Sequence, residues 1–186
     1  MVGLFCKFKL QKVIVMDLSV RKTMRLQNYN YSENGAYYVT ICTKNRRYLF
    51  SEVVGSIHES TAKIKLKPYG RIVDEIINTL SERFDINIDN YVIMPNHIHM
   101  IISIENSSIK RSIRESTLRN RSTISKVVGY LKMNTSKMVH KINPNEEIWQ
   151  RSYYDHIIRD EKDYLTKWNY IDGNPSKWEN DDYYIK

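Results

Sequence analysis

The run His97-Ile98-His99-Met100-Ile101-Ile102 constrains this chain more than any other stretch. It is apolar and rich in branched side chains, so it reads as a β-strand, with successive side chains on opposite faces. His97 and His99 then emerge on one face, while Ile98, Met100, Ile102 and Ile104 take the other and can be buried. Two neutral imidazoles side by side on a rigid strand make half of a metal site, because imidazole is the commonest protein ligand for metals.

The elements around this strand form an ordered series. Tyr37–Thr43 follows Asn34-Gly35 and reads as a strand, and Val53–Gly55 with Ala62–Leu66 suggests a peripheral hairpin. Ile72, Val73, Ile76, Ile77, Leu80 and Phe84 recur at helical spacing and predict one amphipathic helix from about 69 to 84. Ile86–Met94 and Ile98–Glu105 read as two strands joined at the turn-prone Pro95-Asn96. Ser107–Ser122 is polar and basic without a period, a loop. Ser122 is placed to cap a helix carrying Ile124, Val127, Val128, Leu131 and Met138 on one stripe. Trp149–Ile158 reads as a strand. Asp160, with Glu161 and Asp163 behind it, suits the positive end of a last helix, which ends near Asn174 because Pro175 restricts the residue before it.

This order is α+β, and its first six elements match the split βαβ of a ferredoxin-like sandwich with a central antiparallel sheet. The final helix carries a tyrosine across that sheet. Residues 1–20 read as an N-terminal arm, with Met16 and Met24 as alternative starts, and 21–186 as one domain.

The last helix separates two tyrosines by geometry. At about 100° per residue, Tyr164, Leu165, Trp168 and Ile171 form one apolar stripe, and Tyr170 falls roughly 150° away. Tyr164 is assigned to the core and Tyr170 is not. Asn174 lies one turn beyond Tyr170 on the same side. An amide oxygen beside a tyrosine off the core stripe is what a third metal ligand next to a nucleophile needs.

The charge is concentrated. The chain carries a formal +8, and Ser107–Lys141 alone accounts for it, with nine basic residues against Glu115. Lys110, Arg111, Arg114, Arg119, Arg121, Lys126 and Lys132 are the expected contacts to a polyanion, most simply a nucleic acid. No run approaches the roughly 18 apolar residues of a membrane span, and the N-terminus lacks a continuous apolar core, so no membrane partner is expected. Two cysteines, Cys6 and Cys42, fit a reducing compartment, with the cytoplasm as the expected location.

His97-Ile98-His99, then Trp149–Arg159, then Tyr170-Ile171-Asp172-Gly173-Asn174-Pro175, with Arg25–Tyr31 and Gly35–Thr43 upstream, resemble the single-tyrosine HUH transposases. Within that group the chain is most similar to the IS200-like branch and its REP-associated tyrosine transposases. The resemblance spans about Arg21 to Trp178. It implies that His97 and His99 bind a divalent metal, Mg²⁺ or Mn²⁺, with Asn174 completing the shell. It also implies that Tyr170 is the nucleophile, cutting single-stranded DNA near hairpins through a 5′-phosphotyrosine link. The partners implied are single-stranded or hairpin DNA, with the protein a monomer or homodimer. The metal and basic surroundings are expected to favour the phenolate of Tyr170. Tyr130, Tyr153 and Trp178 could stack unpaired bases, and His156 is expected to be structural. Two other readings stand beside this one: a non-catalytic hairpin-binding protein, and a metal-dependent phosphoesterase that uses water.

Overall fold

The computed structural model describes residues 34–55, 62–105 and 122–185. The N-terminal arm and the Arg25–Tyr31 motif lie outside them. Among the described residues six strands and four helices follow in order: β1 Gly35–Cys42, β2 Ser51–Val54, β3 Lys63–Leu66, α1 Pro68–Asn78, α2 Leu80–Phe84, β4 Asn87–Ile93, β5 His97–Ile104, α3 Thr123–His140, β6 Tyr154–Ile158 and α4 Glu161–Gly173. A 3-10 turn over Pro175–Asn180 continues from α4.

The main sheet has the order β4-β5-β1-β6, and every neighbouring pair is antiparallel. β1 and β4 run parallel with β5 between them, and α1 and α2 lie on the connection. β5 and β6 run parallel around β1, joined through α3. This is the split βαβ arrangement of a ferredoxin-like sandwich. β2 and β3 form the separate hairpin expected from their alternation.

The two sheet faces are unlike. Tyr37, Val39 and Ile41 of β1 join Ile98, Met100, Ile102 and Ile104 of β5 in the larger core, packed against Ile72, Val73, Ile76 and Ile77 of α1 and Ile124, Val127, Val128 and Leu131 of α3. Truncating one such buried side chain to Ala costs about 2–5 kcal/mol. On the opposite face Tyr38 and Ile101 meet Ile171 of α4, with Tyr164 and Trp168 at the margin. The histidine face of β5 therefore lies under α4.

Caps form where the side chains predict. Ser122 accepts the Ser125 N–H at 3.2 Å and Asp160 accepts the Asp163 N–H at 2.8 Å. Three local expectations change. The helix expected over 69–84 breaks at Thr79, whose hydroxyl and N–H both turn back to the Ile76 carbonyl. The strand expected from Trp149 is reduced to one bridge with Thr43 followed by β6. Lys132 Nζ donates to the carbonyls of Gln150 and Ser152, both at 2.8 Å, so α3 takes those carbonyls while the Gln150 N–H keeps one bond to the Cys42 carbonyl at 3.0 Å. Leu165 is half exposed, because α4 presents only the narrow stripe Tyr164, Trp168 and Ile171 to the sheet.

One close approach fixes how α1 sits. A Cβ on Gly70 would stand 2.0 Å from the Phe50 carbonyl oxygen, so only glycine lets the first turn of α1 meet the backbone leading into β2.

Candidate metal and tyrosine site

Register assembles the floor of the site. Cys42 of β1 stands opposite His97 of β5, and Thr40 opposite His99. Alternation puts Tyr38, Thr40 and both histidines on the α4 face. The imidazole centroids are 4.4 Å apart, and both rings are buried.

Each ring is held by Nδ1. Asn96, fully buried, donates its amide to the carbonyls of Arg46 at 3.1 Å and Tyr183 at 2.7 Å. Its Oδ1 therefore faces His97 Nδ1 at 2.8 Å, and an amide oxygen only accepts. The proton of neutral His97 sits on Nδ1, which leaves a lone pair on Nε2. His99 Nδ1 lies 2.7 Å from the Tyr38 hydroxyl and 2.9 Å from that of Thr40. Nε2 of both rings is buried without a hydrogen-bond partner. Holding one imidazole nitrogen so that the other is free is how proteins prepare histidine for a metal.

Burial drives both imidazoles towards the neutral form, His97 down to about 4 and His99 well below the ordinary imidazole value. The neighbouring His97 and Lys167 push His99 further the same way. A neutral ring is the ligating form.

The roof comes from α4 and the turn after it. The Tyr170 ring stands 5.3 Å from His99 and 6.3 Å from Tyr38, edge-on to both. Tyr170 and the histidines meet within one chain. Asn174, buried at the end of α4, donates its amide to Asp181 Oδ2 at 2.8 Å, and its own Oδ1 has no partner. The Tyr170 hydroxyl donates to the same Oδ2 at 3.1 Å. A ring nitrogen of each histidine and a carboxylate oxygen of Asp181 all lie within 4.8 Å of one another. Orphaned imidazole nitrogens, an orphaned amide oxygen and a carboxylate make a donor set suited to a divalent cation.

The protein's own groups hold Tyr170 protonated. Burial raises its pKa, and the Asp181 carboxylate, which accepts the phenolic hydrogen, raises it further. The basic surroundings do not by themselves favour the phenolate, because the nearest charge is negative.

Several residues were not evident from sequence. Asn96 stood out only as a turn residue, although it orients His97. Asp181 lies in an acidic stretch after Trp178 that carries no recognisable spacing to the histidines. The Tyr183 ring lies tilted 4.5 Å from His97, with the Arg46 guanidinium 5.0 Å over the Tyr183 ring.

The basic residues divide. Lys110, Arg111, Arg114, Arg119 and Arg121 lie outside the described residues. Lys126 is exposed on α3. Lys132 is turned inward onto Gln150 and Ser152, and burial lowers its pKa to about 8. Trp178 is buried against Tyr48 and His97 and so has no face open to a base. Tyr130 and Tyr153 are partly buried against the larger core. His156 pairs with Asp163 at 2.7 Å and ties β6 to α4. Among the described residues, no helix is long and apolar enough to cross a membrane.

Residues 31–120 match the family model described as "Transposase IS200 like". An uncharacterized protein of Haemophilus influenzae is 34% identical over 174 residues, covering 89% of this chain and 93% of that protein. A second Haemophilus influenzae protein, provisionally named a REP-associated tyrosine transposase, is 23% identical over 154 residues, covering 82% of this chain and 77% of its own. Among solved structures, a REP-associated tyrosine transposase bound to a REP hairpin superposes with a TM-score of 0.56 at 19% identity. The match covers 83% of this chain and 73% of that one, a likeness of fold.

Proposed function

This chain belongs to the IS200-like transposase family, and from that premise we propose that it is a metal-dependent single-strand DNA endonuclease and strand transferase that cuts beside hairpins with Tyr170. The observation that carries the reading is the pair of buried, partnerless Nε2 atoms on His97 and His99, with the Tyr170 ring 5.3 Å from His99.

His97, His99 and Asn174 would hold Mg²⁺ or Mn²⁺. Such an ion supplies Lewis-acid polarisation of the phosphate and fixes its orientation. The remaining work falls to side chains. Tyr170 Oη forms a bond to phosphorus as the P–O3′ bond breaks, leaving a 5′-phosphotyrosine. The phenolic proton passes to Asp181 Oδ2, its hydrogen-bond partner, and the departing 3′ oxygen takes a proton from solvent to end as a hydroxyl. The phenol stays protonated until attack because burial, and then the same carboxylate, favour its neutral form. Lys167, whose ammonium lies 5.1 Å over the Tyr38 ring one turn before Tyr170, and Arg46 on the Tyr183 side flank the site with positive charge for a phosphate.

The substrate reading rests on the similar protein whose structure holds a REP hairpin, and on the basic excess between residues 107 and 141. Phosphate contacts supply most of such affinity and make it salt-dependent.

Labelled single-stranded hairpin DNA, incubated with the full chain with and without Mg²⁺ or Mn²⁺, tests the proposal. A protein–DNA band that survives boiling and needs the metal is expected. Cutting without an adduct would indicate a water nucleophile, and binding without cutting would indicate a non-catalytic hairpin binder.

A further inference from the structure

Two imidazoles and an amide oxygen are neutral donors, and imidazole suits Zn²⁺, Cu²⁺ and Ni²⁺ better than it suits Mg²⁺ or Mn²⁺, which favour carboxylate and carbonyl oxygen. The neutral donors alone supply no charge to offset a divalent cation. Beside them stands a carboxylate.

We propose that Asp181, delivered by the segment after α4, is the anionic ligand of the metal site, and that Asn174 also acts as its positioning residue. This rests on the metal-dependent reading above. It concerns which side chain gives the site its charge and its preference for hard cations.

Three observations carry the argument. A carboxylate oxygen of Asp181 is within 4.8 Å of a ring nitrogen of both histidines, and His97 and His99 are 0% and 1% exposed with Nε2 unpartnered. The carboxylate is also fixed at both ends. Oδ2 receives Asn174 Nδ2 at 2.8 Å and the Tyr170 hydroxyl at 3.1 Å, and Oδ1 receives the Tyr183 N–H at 2.7 Å. A carboxylate offers about four lone-pair positions, so three such bonds leave room for an ion.

The segment bearing Asp181 is itself anchored to the site's walls. The carbonyl of Asp182 receives Arg46 Nη1 at 2.8 Å, and that of Tyr183 receives the Asn96 amide that also orients His97. Tyr48 exchanges hydrogen bonds with the Ile185 backbone, through the carbonyl at 2.6 Å and the N–H at 2.9 Å. Asn96 thus touches both the imidazole pair and the chain that brings the carboxylate. One buried amide ties the two halves of the donor set together.

Mn²⁺ titration of the full chain by calorimetry tests this. Asp181→Asn should weaken Mn²⁺ binding at least tenfold, and Asp181→Glu should retain part of the affinity. The Mn²⁺-induced rise in Tm should shrink in parallel, since an ion that binds the folded state stabilises it. Unchanged Tm of Asp181→Asn in EDTA would show that the loss is not one of folding. If Asp181→Asn binds Mn²⁺ within about twofold of the parent while His97→Ala does not bind, the assignment of Asp181 is wrong and the histidine site stands. If the parent chain itself binds no Mn²⁺, both the site and the role of Asp181 fall.

Discussion

Asn96 Oδ1 accepts the Nδ1–H of His97 at 2.8 Å, while the same amide's nitrogen is committed to two backbone carbonyls and so cannot turn over. A turn residue thereby decides which nitrogen of its neighbour carries the proton. Replacing it with Ala frees the ring and leaves the Arg46 and Tyr183 carbonyls without their donor. Loss of such an outer partner typically costs about 10–100-fold in metal affinity or activity. Asn96→Ala should show that loss in a Mn²⁺ titration, and parent-like affinity would remove its role.

Tyr170→Phe deletes one oxygen and leaves the Asn174–Asp181 bond intact. It should abolish the boiling-resistant DNA adduct while hairpin affinity in a gel shift stays within about twofold. An adduct from the Phe variant would point to another tyrosine.

Stability should depend on pH through the buried histidines. Both are held below the unfolded value of about 6.5, with His97 at about 4, so between those values the unfolded chain binds protons that the folded chain refuses. Stability is then full above about pH 6.5 and falls as pH drops towards 4. Thermal melts in EDTA should lose several degrees across that window. A His97→Gln, His99→Gln double variant should melt with a shallower slope; an unchanged slope would assign the acid sensitivity elsewhere.

Lys126 and Lys132 share α3 but should behave differently. Lys132 Nζ satisfies two backbone carbonyls, so Lys132→Met should cost about 1–3 kcal/mol of stability by urea unfolding. Lys126 is exposed, and Lys126→Ala should leave stability unchanged and lower only the salt-sensitive part of hairpin affinity.

Gly70→Ala tests the packing of α1. The added methyl meets the Phe50 carbonyl, and overpacking of this kind costs about 1–3 kcal/mol. A melt matching the parent would mean that the helix shifts without cost.

The alternation along Ile98–Ile104 and the 3.6-residue stripes of α1 and α3 were enough to assign strand, helix and buried face. The caps at Ser122 and Asp160 were equally legible. Each depends on contacts within a few residues. The break at Thr79 was not legible because the apolar stripe runs through it unbroken and a hydroxyl turning back to the Ile76 carbonyl leaves no mark on that period. The loss of strand at Gln150–Ser152 was not legible because Lys132, 18 and 20 residues away, takes those carbonyls. Leu165 failed for a related reason: a helical wheel gives the centre of an apolar stripe, but the crossing of α4 over the sheet sets its width.

The amino-acid order alone determined that two imidazoles share a strand face, that Tyr170 lies off the core stripe of its helix, and that positive charge gathers between residues 107 and 141. These follow from the periods of strand and helix and from counting charges. Only the tertiary structure decided that Thr40 and Tyr38 grip His99, that Asn96 sets the proton on His97, and that Asp181 stands between Tyr170, Asn174 and the imidazoles. The grip on His99 crosses 59 to 61 residues from β1, and the places of Asn96 and Asp181 depend on the path of the chain beyond α4, where no local period links a carboxylate to a distant strand.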